Sequence, residues 1–371
     1  MYLRFLVTVG MAGAILAGTA QSAGKWRMVY FYDRAHATLI INDLQFPAPG
    51  RGIAVGYVDE EDQSRPVSVT TNDGGAHWSL AHLKQIPVSL FFLNQTLGWM
   101  VTPKSIWRTT DAGRSWHELP KSPKLLMEVY FLDESRGFAV GEQKQALATS
   151  DGGKTWTPIA AAAEPQSARE YTLYNSITFV DEKTGLINGY HEPPRGGNRG
   201  RPEWLSPKTT TQRKELPHLS IMLDTRDGGQ TWKSSTTSMF GRITRTVFLT
   251  DGRGLGLIEF TNTFKWPSEV HRLDGISGTS DIVYNAKDRA ITDVLLLPSG
   301  RAYLVGVDVV GELQHSPIPN KLEILTSDDL SGWREMDVDY RANAIRAILR
   351  VSGDGSLWAA TDTGMILKLQ E

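Results

Sequence analysis

"ATSDGGKTW" spans Ala148–Trp156, and near-copies of it recur along the chain. "VTTNDGGAHW" ends at Trp78, "RTTDAGRSW" at Trp116 and "DTRDGGQTW" at Trp232, while a worn version, "LTSDDLSGW", ends at Trp333. The repeated aspartates are Asp73, Asp111, Asp151 and Asp227, with Asp328 assigned to the worn copy. The first two gaps are 38 and 40 residues, and the 76 residues from Asp151 to Asp227 hold one repeat plus an insertion. A period of about 40–50 residues is that of a β-propeller blade, in which four short strands form one radial sheet.

A second motif precedes each box: an apolar strand, a turn, then a strand of small apolar residues. Its copies are "LQFPAPGRGIAVGY" from Leu44, "LFFLNQTLGWMV" from Leu90, "VYFLDESRGFAVG" from Val129 and "ITFVDEKTGLINGY" from Ile177. "TVFLTDGRGLGLI" from Thr246, "VLLLPSGRAYLVGV" from Val294 and "AILRVSGDGSLWAAT" from Ala347 follow. The strands are short, rich in β-branched and aromatic residues, and punctuated by Gly and Asp turns. Seven copies predict an all-β, seven-bladed propeller. The last copy ends the chain without a fourth strand, whereas "KWRMVYFY" (Lys25–Tyr32) has no blade of its own. The N-terminal strand is therefore expected to pair with Met365–Leu369 and close the ring.

Composition agrees with one large domain over residues 24–371. Of the 371 residues, 40% are apolar, with 11 Trp and 12 Phe, enough for a sizeable core. A formal net charge of −2 without long charge runs argues against nucleic acid, which demands a basic field. Residues 1–23 carry one Arg, an apolar stretch from Phe5 to Ala17 and small residues after it, the pattern of a secretory signal peptide cut after Ala20 or Ala23. This predicts a periplasmic or secreted, monomeric protein. The sequence contains no Cys, so neither a disulfide nor a thiol-linked lipid is available.

In each box the Asp is expected to accept backbone N–H groups of its own turn. The Trp, at positions 78, 116, 156 and 232, is expected to bury itself against the outer hairpin. Four equivalent aspartates in four blades cannot converge on one ion or substrate, and each turn offers one carboxylate where a calcium loop needs several oxygens. Gly153-Lys154-Thr155 imitates a phosphate-binding loop, but the required first Gly is Ala148 and no helix follows. No metal or cofactor is expected.

The box paired with "GWMV", "GFAVG" and "GIAVGY" resembles the Asp-box (BNR repeat) propellers of the photosystem II stability/assembly factor-like family, from about Asn42 to Leu369. That resemblance implies a seven-bladed, exported, non-catalytic protein assisting the assembly of a membrane complex. The partner does not carry over, because many relatives occur in bacteria with no photosystem. Some members carry a lipid-bearing Cys after the signal peptide, and this chain has none. Sialidases share the box, but their early Arg-Ile-Pro motif does not occur; the nearest approach is "GRITR" in blade five.

Aligning the innermost strands on Phe46, Phe92, Phe131, Phe179, Phe248, Leu296 and Leu349 places a polar residue three positions earlier in each blade. These are Asp43, Ser89, Glu128, Ser176, Arg245, Asp293 and Arg346. They are expected to ring the channel mouth and to bind a charged peptide segment or small ligand, or else to hold water and pair with one another. A basic insertion, His191–His218, carries six Lys/Arg against three Glu, and Arg195, Arg199, Arg201 and Trp204 make it a candidate recognition arm on the same face. The acidic loop Asp59–Pro66 occupies the corresponding place in blade one, where a solvated loop is the simpler reading. Two functions follow: a binder of a periplasmic membrane-protein segment, or a glycan-active enzyme using Glu128 with Asp293 or Asp43.

Overall fold

A computed structural model describes residues 24–61, 63–194, 214–262, 264–275, 277–308, 320–339 and 343–370. The signal-peptide expectation and Arg195, Arg199, Arg201 and Trp204 lie outside the described residues. Seven sheets form, six of four strands and one of five. Blades one to six run in sequence, their innermost strands being Ala37–Ala48, Ser89–Phe92, Leu126–Phe131, Thr172–Phe179, Arg242–Phe248 and Arg289–Leu296. Blade seven comprises Ala347–Val351, Leu357–Thr361 and Met365–Gln370, with Lys25–Phe31 as its outer strand. The expected closure is present: Lys25 pairs with Gln370, Trp26 with Leu369 and Phe31 with Met365, antiparallel, with a bulge between Met28 and Tyr30. Asp337–Val338 adds a short parallel strand outside Lys25–Trp26, an edge covering with no sequence signal.

The second strand of each blade is sandwiched between neighbouring blades, which is why it reads as a continuous apolar run. Gly98–Val101 and Gly137–Gly141 are buried at every position. The Gly that begins it has a steric cause. A Cβ on Gly98 would lie 2.4 Å from Phe92, and one on Gly137 would lie 2.4 Å from Phe131. Where the innermost strand ends in Leu296 or Val351, the facing residue is Ala302 or Leu357 instead. The Gly and the inner Phe are one packing unit.

The boxes occupy the turns between third and fourth strands, on the face opposite the starts of the innermost strands. In blade three, Asp151 Oδ1 accepts from Thr155 N (2.9 Å) and Thr149 Oγ1 (2.9 Å), and Oδ2 accepts from Thr155 Oγ1 (2.6 Å). Gly153 N donates in turn to Thr149 Oγ1 (3.0 Å), with Gly153 at φ +91°. The same bonds recur around Asp73, Asp111 and Asp227. They favour the charged carboxylate, lowering Asp151 and Asp227 to about 2.

Two details of the boxes differ from expectation. In the worn copy Asp329, not Asp328, accepts from Ser331 N (2.9 Å) and Ser331 Oγ (2.7 Å), because the clamp stands two residues after the strand-ending Ser327. Asp328 instead pairs with Arg301 and Arg334. The box Trp also does more than cover its own hairpin: it fills the seam with the preceding blade. Trp78 stands edge-on to Trp358 of blade seven at 6.1 Å, and Trp232 to Phe138 of blade three at 5.4 Å.

Candidate functional site

The seven aligned polar residues line one cavity of about 470 Å³ at the starts of the innermost strands. Five of those strands carry a bulge at this level, between Ile41 and Asp43, Leu126 and Glu128, Tyr174 and Ser176, Ile243 and Arg245, and Ile291 and Asp293. The extra residue re-aims the backbone. Three of the bulged residues then bridge to the next blade: Asn42 to Pro87 O (2.7 Å), Asn175 to Ile243 O (2.8 Å) and Thr292 to Ala347 O (2.8 Å).

The carboxylates of the ring serve as struts. Asp43 accepts from Leu90 N of blade two at 2.8 Å, Glu128 from Ile177 N of blade four at 3.0 Å, and Asp293 from Leu349 N of blade seven at 2.9 Å. Ser89 Oγ donates to Met127 O at 2.8 Å, and buried Ser176 accepts from Asn188 Nδ2 at 3.2 Å. The ring therefore divides. Asp43, Asp293 and Ser176 are buried and committed to the scaffold, whereas Arg245 is half-buried and Arg346 exposed.

Blade seven requires a correction. Its inner hairpin pairs Val351 with Leu357, as Phe92 pairs with Gly98 and Phe131 with Gly137. Val351, not Leu349, is the counterpart of the inner Phe, and Ile348 occupies the ring register. The slip arose because "AILRV" ends without an aromatic to mark its end. A two-residue shift preserves the face of a strand, so Arg346 still lines the cavity, nearer its mouth.

Arg350 was missed. Its guanidinium bridges the carboxylates of Asp43 (2.6 Å) and Asp293 (3.1 Å), from blades one and six, and its side chain is 15% exposed. Burial opposes its charge, but Asp43 and Asp293 outweigh that and raise it. The signal was present: a charged residue stands where blades two, three, five and six have Phe91, Tyr130, Val247 and Leu295. Arg245 also approaches Asp293, with Nε at 3.3 Å from Oδ1. Burial pushes Glu128 upward against the opposing charge of Arg245, and burial pushes Glu259, which accepts from Thr244 Oγ1 at 2.7 Å, upward as well. Arg346 makes no ion pair or side-chain hydrogen bond among the described residues, which leaves a fork-shaped cation at the mouth of the cavity.

On the same face, the basic insertion joins the second and third strands of blade four as expected: His191 ends the second and His218 begins the third. At its foot Glu192 pairs with Arg242, whose guanidinium lies 4.8 Å from the centre of the Tyr190 ring. Among the described residues no group of three or more His, Asp or Glu could hold a metal ion.

No family model matches the sequence. The photosystem II assembly lipoprotein Ycf48 of Synechococcus sp. (strain CC9902) is 27% identical over 207 residues, covering 51% of this chain and 56% of that protein. The vacuolar protein sorting/targeting protein 10 of Verticillium alfalfae is 24% identical over 123 residues, 32% of this chain and 8% of that much longer protein. Among solved structures, YCF48 bound to a D1 peptide superposes with a TM-score of 0.59 at 17% identity, covering 96% of this chain and all of that one. YCF48 from Cyanidioschyzon merolae superposes with a TM-score of 0.59 at 16% identity over 94% of this chain. The chain is thus a homologue of Ycf48 over about half its length, and over nearly all of it a seven-bladed propeller of the YCF48 form.

Proposed function

We propose that this is an exported, non-catalytic propeller that binds an exposed segment of a membrane protein and assists the assembly or stability of a complex. The observation that carries the reading is Arg346, exposed and, among the described residues, without an ion pair at the mouth of a polar cavity whose acids are otherwise engaged. A guanidinium in that position offers two parallel N–H donors to a carboxylate, and desolvation within a concavity strengthens the contact. Arg245 supports it from the wall. Asp43 and Asp293 each hold a backbone N–H of a neighbouring blade and share Arg350, an arrangement suited to scaffolding and not to an acid–base pair. The homology to an assembly lipoprotein, and the peptide bound to a propeller of this form, support the same reading.

The insertion at 191–218 supplies a second contact through Arg195, Arg199, Arg201 and Trp204. Residues 1–23 direct export, and the partner lies on the periplasmic side of the membrane. Affinity capture from detergent-solubilised membranes tests the proposal: the tagged protein should retrieve an integral membrane protein. Retrieval of soluble proteins only, together with turnover of aryl glycosides, would establish the enzyme reading instead.

A further inference from the structure

Six of the seven blades place a Trp at one register, opposite the third-strand residue in line with the inner Phe or its counterpart. Trp78, Trp116, Trp156, Trp232 and Trp333 immediately precede the outer strands of blades one, two, three, four and six. Trp26, paired with Leu369, occupies the same register in blade seven and stands edge-on to Tyr303 of blade six at 6.5 Å. Each fills the seam with the preceding blade.

Blade five breaks the rule. In its third strand, Ser268–Asp274, Leu273 lies in line with Gly254 and Phe248 and pairs with Ser280, so Ser280 stands where the others have Trp. The cause is the turn: Asp274 pairs directly with Thr279, whereas in blade three the last pair of the two strands, Ala148 and Thr157, encloses the whole box. The seam between blades four and five is accordingly open, with a cavity of about 620 Å³ that Ser280 lines. Val180, Phe248, Met222 and Met239 line it as well. Met222 is 36% exposed, so the cavity opens to solvent. Asn188 also lines it; that residue is 1% exposed, and its Oδ1 has no hydrogen-bond donor among the described residues.

We infer that this seam is a binding site for an indole-type aromatic group bearing an N–H, presented by a peptide. The occupant is argued from the molecule itself. The same seam in the six other places holds an indole, packed in four of them against an aromatic ring of the preceding blade, and the orphaned acceptor of Asn188 needs a donor. The size falls within the usual range of ligand pockets, about 300–1,000 Å³, and an amphipathic ring suits an apolar wall with one polar partner. The site is separate from the central cavity and does not depend on the function proposed above.

The test uses N-acetyl-tryptophanamide, with N-acetyl-alaninamide as control, titrated into the whole protein labelled at its methionine methyls and followed by NMR. Saturable shifts of the Met222 and Met239 methyls are expected, with Met127 in the central cavity unmoved. Ser280→Trp should fill the seam from within and weaken binding by about tenfold or more, with no loss of thermal stability. Asn188→Leu should weaken binding several-fold while retaining the fold. The inference is overturned if no saturable shift appears at Met222 and Met239, or if folded Ser280→Trp binds as the parent does. The alaninamide shifting the same methyls equally would also overturn it. The wild-type methyl map stands even if a variant fails to fold.

Discussion

Replacing Arg350 by Met should destabilise the propeller more than any other single change at the central cavity. The guanidinium holds Asp43 of blade one and Asp293 of blade six, whose side chains are 7% and 4% exposed. Each carboxylate keeps its backbone donor, Leu90 N or Leu349 N, but Asp43 loses the only positive charge it contacts among the described residues, while Asp293 keeps Arg245. Removing one partner of a buried ion pair costs about 3–5 kcal/mol, because the remaining charge is left uncompensated. Unfolding entropy is about 2.1 cal/mol/K per residue, so roughly 350 folded residues give about 0.7 kcal/mol/K and a fall in Tm of about 4–7 °C. Thermal unfolding followed by circular dichroism at pH 7 reads this directly. Adding Asp43→Asn to Arg350→Met should recover part of the loss, since it removes one stranded charge. A fall below about 1 °C, or a double variant less stable than the single by the full cost of Asp43→Asn alone, would refute the bridging role.

Further outcomes follow from the same geometry. Trp26→Ala should cost about 3–5 kcal/mol, since Trp26 is fully buried in the closing strand, and denaturant unfolding would show it as a shifted midpoint. Burial raises the folded pKa of Glu128, so its contribution to stability is fullest at low pH and is lost as pH rises through that raised value. Glu128→Gln should therefore be at least as stable as the parent at pH 7–8, with the advantage fading toward pH 4. Asp151 behaves oppositely: its folded value of about 2 lies below the usual 3.8, so its stabilisation is present above pH 4 and lost as pH falls toward 2. An Asp151→Asn variant should melt earlier than the parent at neutral pH and alike at pH 2; an unchanged gap across that range would contradict the clamp.

Much of the fold was legible because a propeller repeats its physics. Five copies of a Phe–Gly packing unit, two worn copies of the same strand pair and five boxes counted the blades, and the orphan strand Lys25–Tyr32 had one place to go. The register of blade seven was harder. Val351 replaces the inner Phe, so the alignment slid by one pleat to Leu349, and Ile348 was overlooked. Arg350 escaped for a related reason: a ring defined by one register excludes a side chain two residues along that reaches the same carboxylates. The Trp positions were visible as letters, but their task in the seams emerged only when Trp26 was seen to share their register. From that shared register the gap at Ser280 could be recognised.

Membrane capture with Arg346→Ala beside the parent protein tests the proposed role of the central cavity most directly. Arg346 is exposed and makes no ion pair among the described residues, so the variant should melt within about 1 °C of the parent, as surface changes usually do. If the cavity grips a partner's carboxylate, an integral membrane protein recovered by the parent should fall by about tenfold or more with the variant, the loss expected of an interfacial Arg. Equal recovery of that protein by parent and variant would contradict the assignment of the site.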